Sequence, residues 1–326
     1  MGYLRNALCL VHPSPEVFGR SQWCCSQVIY IYFRYLFAFY VVGWDVLLTI
    51  RGSYQHGGWY QVDLKVFSFH LLALYSFISV VSALVHWVRV ARWRYESFSH
   101  KQMRSTGEDV VINTSRSTLR SLGTAPSMYR FNPWCYRLDW LLFNLIVTFN
   151  PIVTILYWLP VIVNRENFLQ DDILNNLAIV HLTIVNTALI YLDLLIRRIP
   201  VRLVHSIYPM ALWVIYMAVN AVVHVTIQTG PERPDQFLYR FYFNWDAENV
   251  APSIGYALAV FFGILGLHLL AFLIFELRKG LFLRCCKDVG YLDETDYSSE
   301  ASFQMTSGLC CSVCGRGRAS HDVAFH

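Results

Sequence analysis

Between Asn175 and Tyr208 two apolar segments are joined by the short basic turn Arg197-Arg198-Ile199-Pro200-Val201-Arg202. About twenty mostly apolar residues carry a helix across a bilayer, so the pair reads as a transmembrane hairpin. Pro200 suits its tight end, because proline fixes φ and lacks an N–H. The three arginines assign that end to the cytoplasm by the positive-inside rule.

Nothing in the rest of the chain departs from this setting. Only 15% of the 326 residues are charged and 56% are hydrophobic, too apolar for an ordinary soluble domain. The net charge of +4 is small, and the basic residues flank apolar spans rather than forming a patch with interleaved aromatics. Nucleic acid is therefore not an expected partner. Membrane lipids are, with a membrane-protein partner or a second copy of the chain as further options.

Six apolar spans predict an all-α, six-span transmembrane bundle: Gln27 to Ile50, Val66 to Val90, Asp139 to Val163, Ile173 to Ile196, Leu203 to Ile227 and Pro252 to Phe275. Lys and Arg concentrate in the loop after the second span, in the hairpin turn and at the C-terminal exit, which places both termini in the cytoplasm. The expected organisation is a cytoplasmic N-terminal segment (1–26), a transmembrane domain (27–278) with a cytoplasmic loop (91–138), and a disordered cytoplasmic tail (279–326). The first span is expected to act as the targeting signal, with no cleaved signal peptide.

All nine cysteines fall on the predicted cytoplasmic side or its border, so no disulfide is expected. Cys24, Cys25, Cys285 and Cys286 lie just inside the first and last spans, where acylation would be expected. The sequon at Asn113 falls in the predicted cytoplasmic loop and is expected to stay unmodified. Four Cys and His residues of the tail are too closely spaced for a zinc finger, and neither a metal nor another cofactor is expected.

Ionisable groups inside spans are expensive in hydrocarbon and mark sites worth weighing. Arg34, Asp45, His70, His86, His181, Asp193, His224, His268 and Glu276 are such groups. The fourth span is the most informative: at 100° per residue Asn175, Asn186 and Asp193 fall within about 20° of one another. Asn176, Thr183 and Thr187 widen the same face into a polar stripe. It either bonds helices together or walls a polar cavity for a lipid head group. His181 lies off the stripe on an ideal helix, so a kink or a partner from another helix would be needed to bring it in. Pro200, Arg202 and His205 are expected to form a fixed turn element.

Several stretches, taken in order, resemble the rolling stone family of multispan membrane proteins. They are Ser21-Gln22-Trp23, Arg34-Tyr35-Leu36, Leu141-Leu142-Phe143-Asn144, Ile155-Leu156-Tyr157-Trp158, Asp193, Pro200-Val201-Arg202-Leu203-Val204-His205 and Phe241 to Asp246. The Pro-Val-Arg-Leu-x-His element is the most specific. The resemblance implies an animal plasma-membrane protein, linked in the founding member to myoblast fusion and hence to cell–cell interaction. The family is distantly similar to androgen-induced membrane hydrolases, which cleave fatty acid esters of hydroxy fatty acids with an intramembrane Thr and His. Here Val66 stands at the position expected for that Thr, and Ser68 and His70 are the nearest reactive groups. In the fourth span Thr183 stands at the expected His position, and the histidine is His181. A hydrolase alternative would use Ser68 or Thr187 as nucleophile with His70 or His181 as base.

Overall fold

The computed structural model describes Phe18, Ser21, residues 27–56, 63–105, 134–164 and 173–228, Trp245 and residues 250–285. Cys24, Cys25, Cys286, the Asn113 sequon, the stretch 106–127 and the tail beyond Cys285 lie outside them. So do the side chains of Asn175, His224 and Cys285. Among the described residues the secondary structure is helical apart from the hairpin turn, one isolated bridge, Asp63 and Trp245.

The helices are α1 (Gln27–His56), α2 (Leu64–Ser105), α3 (Trp134–Asn164), α4 (Ile173–Val180), α5 (Asn186–Ile196), α6 (Ile207–Gln228) and α7 (Val250–Cys285). A π-helical turn, His181–Val185, joins α4 to α5, and a 3-10 turn, Leu203–Ser206, leads into α6. Among the described residues six helical segments are long and apolar enough to cross a membrane, with α4, the π turn and α5 acting as one span. The chain is an integral multi-pass membrane protein.

Several expected boundaries move. The polar loop expected over 91–138 is helical through Ser105 and again from Trp134, and the tail expected from 279 is helical as far as Cys285. The 42 residues of α2 measure about 63 Å, twice the hydrocarbon thickness, so apolarity marked the immersed part and not the helix end. Asp63 caps α2 at its start: its carboxylate accepts the Lys65 N–H at 2.9 Å and its carbonyl the Phe67 N–H at 2.7 Å.

α3 is the central helix, packing against α2, α5, α6 and α7, while α1 leans on α2. Two apolar clusters fill the bundle. One surrounds Phe18, Val41, Tyr136, Trp140, Phe143 and Leu194 toward the hairpin turn; the other surrounds Leu64, Phe149, Trp213 and Ile264 toward the opposite end. Of the two glycines near His268 only one lies at a close helix approach. A methyl on Gly263 would come 3.4 Å from Ile152 Cδ1, whereas nothing lies within 4 Å of one on Gly266.

The π turn breaks the uniform 100° spacing assumed for the fourth span. An i→i+5 turn takes up one residue more than an α turn and rotates the following helix by about 100° relative to the preceding one. Asn176 before the turn is half-buried, while Thr183, Asn186 and Asp193 are buried.

Candidate functional site

Residues 197–202 run between α5 and the 3-10 turn. Arg197 closes α5 at φ −80°, ψ 153°, and Arg202 enters the 3-10 turn at φ −115°, ψ 133°, both extended. Extended backbone sends successive side chains to opposite sides. Arg197, Ile199 and Val201 are buried; Arg198, Pro200 and Arg202 are half-buried. The phase of the extended turn carries Arg197 inward, away from the position a purely topological arginine would take.

Its guanidinium forms a bidentate pair with Asp139 of α3, at 2.9 Å from Nη1 and 2.5 Å from Nη2. Nη1 also donates to the Tyr75 hydroxyl at 2.7 Å, and Nη2 to the Phe18 carbonyl at 3.1 Å. Tyr75 in turn donates to Asp193, which is ion-paired with Arg34 of α1. A continuous buried chain, Arg34, Asp193, Tyr75, Arg197, Asp139, therefore ties α1, α5, α2, the turn and α3 together. All five residues are at most 1% exposed. Arg278 of α7 adds a further tie by donating to the carbonyls of Leu194 and Arg197, acceptors that the end of α5 leaves open.

The outer edge of the turn is fixed by Trp140. Its indole N–H donates to the Pro200 carbonyl at 2.8 Å, the Arg202 guanidinium lies 4.9 Å above its ring, and His205 meets it edge-on at 4.7 Å. His205 is fully buried against protein, so its surroundings are those of a turn contact and not of a lipid head group. The Arg202 carbonyl accepts from His268 Nε2 at 3.0 Å. A carbonyl can only accept, so Nε2 carries the proton and Nδ1 is the acceptor facing Thr148 Oγ1, also at 3.0 Å.

Deeper in the bundle, Pro151 lies inside the continuous helix α3, next to Asn150. Asn150 Nδ2 donates to Asn186 Oδ1 at 2.5 Å, and Asn186 Nδ2 lies 3.5 Å from Ser68 Oγ. Thr154 Oγ1 is 2.7 Å from Thr187 Oγ1 and 3.0 Å from the Thr183 carbonyl, and Trp158 donates to Thr183 Oγ1 at 3.0 Å. Thr183, Asn186 and Thr187 of the stripe thus bond to α2 and α3. Such bonds contribute on the order of 0.6 kcal/mol each in membrane bundles.

The four residues of the hydrolase alternative have the following hydrogen bonds. Ser68 donates to the Lys65 carbonyl at 2.9 Å, and Thr187 pairs with Thr154. His70 Nδ1 is 2.7 Å from Asp45 Oδ1 on α1, a half-exposed pair. His181 Nδ1 is 2.9 Å from the Leu177 carbonyl and its ring stacks on Trp44 at 4.3 Å. A hydroxyl–imidazole hydrogen bond within the bundle joins Thr148 to His268, and both are fully buried.

Asp139, Tyr75, Trp140, Thr148 and Thr154 are among the members that sequence pattern did not single out. Asp139 had one usable signal, a carboxylate at the edge of an apolar span with no base three or four residues away on its own helix face. No protein-family model, curated protein or solved structure matches this chain.

Proposed function

We propose that this chain is a rolling stone-like multispan protein of the plasma membrane that acts in cell–cell interaction or fusion. Its hairpin turn and both termini lie in the cytoplasm in this reading. The observation that supports a non-catalytic role best is the use made of the intramembrane polar groups. Arg34, Asp193, Arg197 and Asp139, the Asn150–Asn186 pair and the Thr154–Thr187 pair all bond one element of the bundle to another, giving a braced bundle. The test is a mixing assay between two dye-loaded cell populations. Cells with verified surface expression should form mixed aggregates or syncytia above vector controls; mixing at the vector level would overturn the reading.

A second reading, an intramembrane lipid ester hydrolase, is favoured by one contact. Asp45 holds His70 at 2.7 Å in the way an acid orients a catalytic base. A fluorophosphonate probe separates the two. On the first reading the detergent-purified chain stays unlabelled beside a working membrane hydrolase. Labelling abolished by His70→Ala and by Ser68→Ala or Thr187→Ala would instead establish the enzyme.

A further inference from the structure

The two ends of the hairpin turn lie at different depths of the bundle. Arg197 pairs with Asp139 of α3, and its carbonyl accepts from Arg278 of α7. The Arg202 carbonyl accepts from His268 of α7, which in turn bonds Thr148 of α3. Arg278 and His268 are ten residues apart and Asp139 and Thr148 nine, about 15 and about 14 Å of helix. Five extended steps from Arg197 to Arg202 cover about 16 Å, so the turn runs lengthwise beside α3 and α7, back into the bundle. α6 begins only beyond it, and Trp213 of α6 donates to the Ala257 carbonyl of α7, in step with that depth. At the hairpin end of the bundle a single extended strand therefore stands where the other end has a helix.

The strand turns Arg198, Pro200 and Arg202 to its more accessible side, and Leu203 and Ile207, which follow, are exposed apolar residues. Arg202 is held at both ends. Its guanidinium lies 4.9 Å from the centre of the Trp140 ring, and its carbonyl accepts from His268 and from the His205 N–H at 2.9 Å. A positive charge at this depth is costly unless an anion meets it, and a bilayer supplies lipid phosphate. A guanidinium has five N–H donors in a planar fork, so one that touches the protein also presents donors to phosphate oxygens. We propose that Arg198 and Arg202 bind the headgroup of a net-anionic phospholipid, whose acyl chains run along Leu203 and Ile207. A zwitterionic headgroup would bring its own cation against the two arginines, which selects the anionic lipid. The inference does not depend on whether the chain acts in fusion or in hydrolysis, nor on which side of the membrane the turn occupies.

The test reconstitutes the purified full chain in phosphatidylcholine vesicles doped with a phosphatidylserine that carries a photoactivatable diazirine on its acyl chain near the glycerol. Peptide mapping by mass spectrometry should place the main adduct within residues 203–210. An excess of unlabelled phosphatidylserine should remove that adduct, and the same excess of phosphatidylcholine should not. Arg198→Gln and Arg202→Gln should each lower it about fivefold, the effect of one basic side chain on an anionic lipid. Arg51→Gln removes the same charge near the far end of α1 and should leave the adduct unchanged. Adducts spread evenly over the spans, equal competition by the two lipids, or an equal loss in Arg51→Gln would overturn the site. Glycerophosphoserine, the same headgroup without tails, should not compete at the concentration of the lipid. Full competition by it would mean that the arginines take a free phosphate ester, and the lipid site would fall. If neither glutamine variant folds, the adduct map and the competition in the native chain decide the matter.

Discussion

Arg197→Ala is expected to be among the most damaging single changes in this protein, costing about 3–5 kcal/mol, because it leaves the Asp139 carboxylate buried without its counter-charge. The loss would be read as a lower midpoint for heat-induced aggregation in detergent and a smaller monodisperse fraction after size exclusion. Arg197→Lys should recover only a minor part. An ammonium has no planar fork, and the native side chain serves both Asp139 oxygens, the Tyr75 hydroxyl and the Phe18 carbonyl at once. The two neighbouring arginines make the comparison decisive. If the basic turn acted only as a topology signal, Arg198→Ala and Arg202→Ala would cost as much as Arg197→Ala. The burial pattern predicts otherwise: Arg198 is half-buried, and its loss should lie within about 1 kcal/mol of native, the usual range for partly exposed charges. Equal effects at all three positions would remove the structural role assigned to Arg197.

The difference between these arginines also marks where sequence pattern stops being informative. Six spans and a tight hairpin were legible because hydrophobic length and charge placement are properties of contiguous residues. Helix ends were less so, since α2 continues through Ser105 where its sequence turns polar and hydrophobicity no longer marks the helix. The stripe of the fourth span was legible as composition, and Asn186 and Asp193 are indeed buried. Its geometry was not, because the π turn shifts the phase partway along and no residue of His181–Val185 announces it. Long-range pairing was hidden altogether. Arg34 and Asp193 are separated by most of the transmembrane region, and nothing local to either names the other. The turn carried a signal that charge obscured: Ile199 and Val201 alternate with Arg198, Pro200 and Arg202, and that alternation places Arg197 on the apolar side.

The ion pair of Arg34 with Asp193 is expected to respond non-additively to substitution. Arg34→Met alone leaves a buried carboxylate held only by the Tyr75 hydroxyl, and Asp193→Leu alone leaves a guanidinium with Tyr30 as its remaining hydrogen-bond partner among the described residues. Each single change should cost about 3–5 kcal/mol, for the same reason as at Arg197. The double variant should be more stable than either single, because two buried charges disappear together and apolar side chains of similar volume replace them. A second observation strengthens this expectation. Arg34 Nη1 is buried with no hydrogen-bond partner among the described residues, so the native pair already bears an unsatisfied donor that methionine would remove. Recovery should be incomplete, since Tyr75 would keep its bond from Arg197 but lose Asp193 as acceptor. The cycle is read from aggregation midpoints of the four proteins, at low and at high salt. Because the pair is at most 1% exposed, the coupling should be nearly insensitive to ionic strength. A double variant as unstable as the two single losses added together would mean that Arg34 and Asp193 act independently, and the chain from α1 to α3 would then have to be broken at Asp193.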